Sequence, residues 1–98
     1  MTRKTQAWDV ASQLNSPERI ALYLEAAFED SDPALISAAI GDAARAYGMA
    51  RLARDTGLAR ESLYRALSEN GNPEFMTVLK VLNAFGLRLS AIESEAAA

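Results

Sequence analysis

Apolar residues recur along this chain at helical spacing, in runs bounded by capping residues, prolines and glycines. After Ser16-Pro17-Glu18, the stripe Ile20, Tyr23, Leu24, Ala27 and Phe28 predicts a first helix. Ser16 reads as its N-cap, Pro17 as its first-turn proline, and Glu18 as the acid favoured at the positive helix end. Asp32-Pro33 repeats that signal, and Leu35, Ile36, Ala39, Ile40, Ala43 and Tyr47 carry a second helix to Gly48. Gly41 inside this run either weakens the helix or permits close packing. Two short helices follow within residues 49–67, joined at Thr56-Gly57-Leu58. Asn72-Pro73-Glu74 reads as a third capped start, leading into Phe75, Val78, Leu79, Leu82 and Phe85 and closing at Gly86. Leu87-Arg88-Leu89-Ser90 alternates like a short strand or an extended tail. The pattern therefore predicts an all-α fold of five helices with a short C-terminal extended segment. Residues 16–90 form its one domain, residues 1–15 carry no assigned element, and residues 91–98 are a frayed tail.

The pair around Thr56-Gly57-Leu58 has the spacing of a helix-turn-helix, the device that seats its second helix in the major groove of DNA. Leu52 and small Ala53 face inward, Gly57 supplies a positive φ, and Leu58 and Leu63 fill the angle between the helices. Ala66 and Leu67 seat the second helix. Arg60, Glu61, Ser62, Tyr64 and Arg65 are left on or near the surface. Arg60, Glu61, Ser62 and Arg65 are the candidate base-contacting residues, because arginine reaches O6 and N7 of guanine and glutamate accepts from N4 of cytosine. Candidate backbone contacts are the N–H groups near Gly48 and Met49 at a helix N-terminus, the side chains of Arg51 and Arg54, and Tyr64, Ser68, Asn70 and Asn72. Tyr64 reads equally as a partly buried core aromatic. Asn70-Gly71 is also a turn signal and Asn72 an N-cap, so structure explains those two residues better than contact does. The spacing alone also fits an αα-hairpin inside an ordinary helical bundle.

Composition removes most other chemistries. With 98 residues the chain supports one modest core. It has no cysteine and no histidine. That excludes disulfides, a thiol nucleophile and Cys-ligated metal, and removes the commonest general base and metal ligand. No enzymatic constellation, cofactor or metal is expected. No apolar run approaches the ~20 residues of a membrane span. The basic N-terminus lacks a following apolar core, so a cytoplasmic protein is expected.

Charge changes the picture more than composition does. The net charge is −3, the opposite sign from that expected of a DNA binder. Residues 1–44 hold three cations against seven carboxylates, a net −4, and residues 66–98 hold two against four, a net −2. Residues 45–65 hold five arginines against Asp55 and Glu61, a net +3. A basic island between acidic flanks is compatible with a DNA face and a second partner elsewhere.

Beyond the turn, Gly48-Met49, Leu52-Ala53, Thr56-Gly57-Leu58, the run from Arg60 to Ser68, and Gly71-Asn72-Pro73 together resemble the addiction-module antidote family. These are the HigA-like antitoxins of the Cro/C1-type, lambda-repressor-like helix-turn-helix superfamily. Tyr23-Leu24-Glu25-Ala26-Ala27, Asp32-Pro33-Ala34, the segment from Gly41 to Ala46, and the segments Thr77 to Leu82 and Gly86 to Leu89 are similar too. Ala59 departs from the pattern, standing where such families often have a Ser or Thr cap. The resemblance implies a lambda-repressor-like domain that neutralises a small basic toxin and represses its own operon, as a homodimer on a palindromic operator of double-stranded DNA. Trp8, Val10 and Leu14 are candidate partner-interface residues, and core packing is the equal reading for Trp8. Candidate dimer surfaces are residues 87–90 and the apolar Val81 and Met76. The alternatives are a helix-turn-helix regulator without a toxin, stand-alone or encoded by a prophage, and a protein-interaction module that no longer binds DNA.

Overall fold

A computed structural model describes residues 14–68 and 70–95. Among them the chain is all-helical, with five helices in order: α1 (Pro17–Asp30), α2 (Pro33–Tyr47), α3 (Met49–Thr56), α4 (Arg60–Ala66) and α5 (Phe75–Ala84). Trp8 and Val10 lie outside the described residues.

The first two helix starts follow the local chemistry. The Ser16 side chain accepts from the Arg19 N–H at 3.2 Å, and the Asp32 side chain accepts from the Ala34 N–H at 3.0 Å. Each satisfies one of the donors that the first helical turn leaves open. Ser31, at φ +64°, ends α1 in the left-handed region, its N–H bonded to Phe28 O at 3.2 Å. Gly48 closes α2 and opens α3 as a single residue at φ +105°, a conformation that glycine adopts far more readily than other residues. Gly57, at φ +77°, ends α3 with its N–H on Ala53 O at 2.9 Å.

The core draws on every helix. Leu24 of α1, Leu52 of α3, Leu63 of α4 and Val81 of α5 are the largest fully buried side chains. Ala43 and Ala44 of α2 expose nothing, so small residues bring the backbones close where α2 crosses its neighbours. Gly41 serves close packing: a Cβ built there would stand 2.7 Å from the carbonyl oxygen of Leu67, just past α4. Tyr23 fastens α1 to α2 by donating to Asp42 Oδ2 at 2.7 Å, while Arg45 holds Asp42 Oδ1 at 2.8 Å. Burial and the Asp42 hydrogen bond push the Tyr23 hydroxyl up to about 12.

Three sequence expectations change here. The fifth helix starts two residues later than Asn72-Pro73-Glu74 suggests, with Glu74 as an N-cap that makes no side-chain bond. A Cβ on Gly71 would collide with the Ala66 carbonyl. The chain therefore leaves α4 pressed against its last turn and must clear that turn before a helix can form. Val81 lies fully in the core, beside Leu82 and Phe85, and Phe75, expected inside, is 67% exposed. Val81 is thus unavailable as a dimer surface. Residues 87–90 form no strand, since no strand is present to pair with them among the described residues. The extended tail is the reading that remains for them, and α5 closes as expected at Gly86, left-handed at φ +85°, with the Leu87 N–H on Leu82 O at 2.9 Å.

Candidate nucleic-acid interface

Helix α4 is short and held by one face. Leu63 and Leu67 are buried and Ala66 is half-buried. With 3.6 residues per turn, that leaves Arg60, Tyr64, Glu61, Arg65 and Ser62 around the outer arc, and all five are exposed. The four candidate base-contacting residues therefore share one surface. Tyr64 is 49% exposed, so it belongs to the surface and not to the core. The Arg60 guanidinium carbon lies 5.9 Å from the Tyr64 ring centre, at the outer limit of a cation–π contact.

The connection into α4 is locally determined. Thr56 Oγ1 donates to Leu52 O at 2.7 Å and accepts from the Leu58 N–H at 3.2 Å. One side chain thus joins the end of α3 to the turn. Ala59 occupies the N-cap of α4 and offers no side-chain acceptor. At the other end, Ser68 Oγ donates to Arg65 O at 2.9 Å. Ser68 therefore terminates α4, and Asn70 and Asn72 stand exposed in the loop beyond it.

Helix α3 places its two arginines beside a fixed carboxylate. Arg51 lies flat over the Tyr47 ring, 4.1 Å from its centre, with Nε 3.9 Å from Asp55. Arg54 Nε is 3.7 Å from the same carboxylate. Tyr47 donates to Asp55 Oδ2 at 2.5 Å and stacks at a tilt on Phe85, ring centres 5.4 Å apart. The hydrogen bond to Asp55, then burial, raises the Tyr47 pKa; Arg51 opposes the shift. The pairs are well exposed, so each contributes little to stability. Both guanidinium groups nevertheless lie beside the same carboxylate, on one side of α3.

The N-terminus of α3 departs from expectation in one respect. The Gly48 N–H is not free, because it donates to Ala44 O at 3.0 Å. The α3 ladder begins with the Leu52 N–H on Gly48 O at 2.8 Å, so the open donors of this turn are those of Met49, Ala50 and Arg51. The Met49 side chain is itself buried. Leu14, a candidate interface residue, is also in the core at 5% exposed, and its surface is used there. Sequence reasoning missed Tyr47 and Asp55 as site residues. The Arg51–Asp55 spacing of four was a legible signal, whereas the bond from Tyr47 crosses between helices.

Residues 4–93 match the family described as "Probable addiction module antidote protein". The chain belongs to this antidote family. A Haemophilus influenzae (strain Rd) protein, named only as an uncharacterized protein, is 46% identical to this antidote over 94 residues, covering 96% of this chain and 97% of the relative. No solved structure matches the antidote chain. The family match spans α1 to α5, so the arc on α4 and the Tyr47–Asp55 cluster both lie inside it. No helix among the antidote's described residues is long and apolar enough to cross a membrane.

Proposed function

We propose that this protein is the antitoxin of a toxin–antitoxin module. In this reading it binds its operator DNA sequence-specifically through α3 and α4, represses its own operon, and neutralises a small basic toxin. The observation that carries the DNA half is the outer arc of α4, where Arg60, Glu61, Ser62 and Arg65 are exposed together while Leu63 anchors the helix. Helix α3 supports it: the open N–H groups of its first turn and the side chains of Arg51 and Arg54 suit backbone phosphates. Membership of the antidote family supports the toxin half. A short recognition helix reads few base pairs, so two copies on a palindromic site are expected. The protein then acts by binding and not by catalysis.

The test is a promoter gel shift at several salt concentrations, with and without the product of the neighbouring reading frame. Specific, salt-sensitive binding is expected, together with a stable complex with that product. Arg60→Ala and Arg65→Ala should each lose roughly 1–3 kcal/mol of discrimination against changed sites. If both variants keep full operator preference, the readout lies elsewhere. Absence of any salt-dependent binding would leave a protein-interaction module.

A further inference from the structure

Past α5 the chain builds a groove whose walls are Leu79, Leu82, Leu87 and Leu89, with Lys80 and Arg88 lining it beside them. These are the only two cations after Arg65. Neither is ion-paired among the described residues. Immediately after the groove the chain presents the opposite character. Ile92 is 83% exposed, the most exposed of the large hydrophobic residues among those described, and Glu93 and Glu95 follow it, both exposed. An apolar groove with a basic lining and an apolar knob with acidic neighbours are complementary in shape class and in charge. They are not joined within one chain. Leu89 is itself a groove wall, and three residues span roughly 10 Å at most, so the arm would have to reverse at once to enter its own groove.

We infer that the groove receives residues 90–95 of a second copy of this chain, and that two copies exchange these arms reciprocally. Ile92 of each copy enters the leucine groove of the other, and Glu93 and Glu95 face Lys80 and Arg88. The exchange closes on itself under two-fold symmetry, with the same surface used twice. None of the α4 arc residues lines the groove, so the arm itself does not compete with them. This inference deepens the two-copy reading proposed above and rests on it.

The test is sedimentation in the absence of DNA, so that loss of assembly and loss of DNA binding are read separately. One variant reverses the groove (Lys80→Glu with Arg88→Glu). The other reverses the arm (Glu93→Lys with Glu95→Lys). All four positions are exposed, and circular dichroism checks that both variants fold. Wild type is expected to be a dimer at micromolar concentration. Each variant alone should dimerise at least about tenfold more weakly, as attraction becomes repulsion. An equimolar mixture should recover a one-to-one dimer, because each groove then meets an arm of opposite sign. Ile92→Ser should weaken the wild-type dimer without changing the fold. A monomeric wild type, a dimer indifferent to Ile92→Ser, or a mixture that stays monomeric would each overturn the inference. A gel shift run in parallel reports whether the DNA-binding reading survives that result.

Discussion

Ala59 sits where α4 needs a side-chain acceptor and has none to give. Its extended backbone, φ −68° and ψ 139°, is already that of an N-cap, so only the oxygen is missing. Ala59→Ser should stabilise the protein by about 1 kcal/mol, read as a raised urea midpoint with an unchanged slope. No change would mean that solvent already satisfies those donors. Tyr23 offers a second test. Its folded pKa is raised from 10.0 to about 12, so its contribution to stability is complete below pH 10 and is lost as pH climbs through that interval. Alkaline unfolding should steepen between those two values, and Tyr23→Phe should flatten the curve there. A Tyr23→Phe curve parallel to wild type would show that the Asp42 bond adds nothing. Both features have a partly legible origin. Ala59 is visible as an uncapped start in the sequence, whereas Tyr23 and Asp42 lie 19 residues apart on different helices and are joined only by packing.

Between elements, Gly41 lies where a side chain would meet backbone. In an open helix Gly41→Ala would gain about 1 kcal/mol from backbone entropy. Here the new methyl would meet the Leu67 carbonyl oxygen at 2.7 Å, a backbone atom with little freedom to retreat. The substitution should therefore destabilise by about 1–3 kcal/mol and push α4 away from α2. Equilibrium unfolding checks the sign: a stabilised variant would show that the contact yields. Leu63 has the complementary role, filling the space under the α4 arc with no exposure. Leu63→Ala should cost about 2–5 kcal/mol, and under the proposed function it should weaken DNA binding even though no residue of the arc has changed. The stripe of α5 was readable only in part. Val78, Leu82 and Phe85 lie inward as expected, but how α5 packs places Phe75 outside and Val81 inside, a long-range fact.

For the whole molecule, net charge and local charge point in different directions. The chain is acidic at −3, yet four of the five arginines of residues 45–65 lie on α3 and α4, and the fifth, Arg45, pairs with Asp42 on α2. If the protein binds DNA as proposed, that binding should fall steeply with salt, since neutralised phosphates release counterions. Arg51→Ala should reduce that salt slope by roughly one phosphate contact and weaken all sequences alike. Arg60→Ala should change preference between sequences instead. If the two variants behaved identically, the division between α3 as clamp and α4 as reader would fail. Asp55→Asn separates geometry from charge: it removes a repelling carboxylate and its ion pairs to Arg51 and Arg54, while the amide oxygen can still accept from Tyr47.

The sequence by itself determined the helices whose starts are local. Ser16-Pro17 and Asp32-Pro33 carry their own capping chemistry, and Gly48 and Gly57 end helices through a backbone freedom that needs no partner. It also determined the exposed arc of α4, because Leu63 and Leu67 leave its other positions nowhere else to face. Only the tertiary structure decided the start of α5, the burial of Leu14 and Val81, and the joining of Tyr47 to Asp55. Each of those depends on where one helix stops against another, a distance that periodicity along a single helix does not encode.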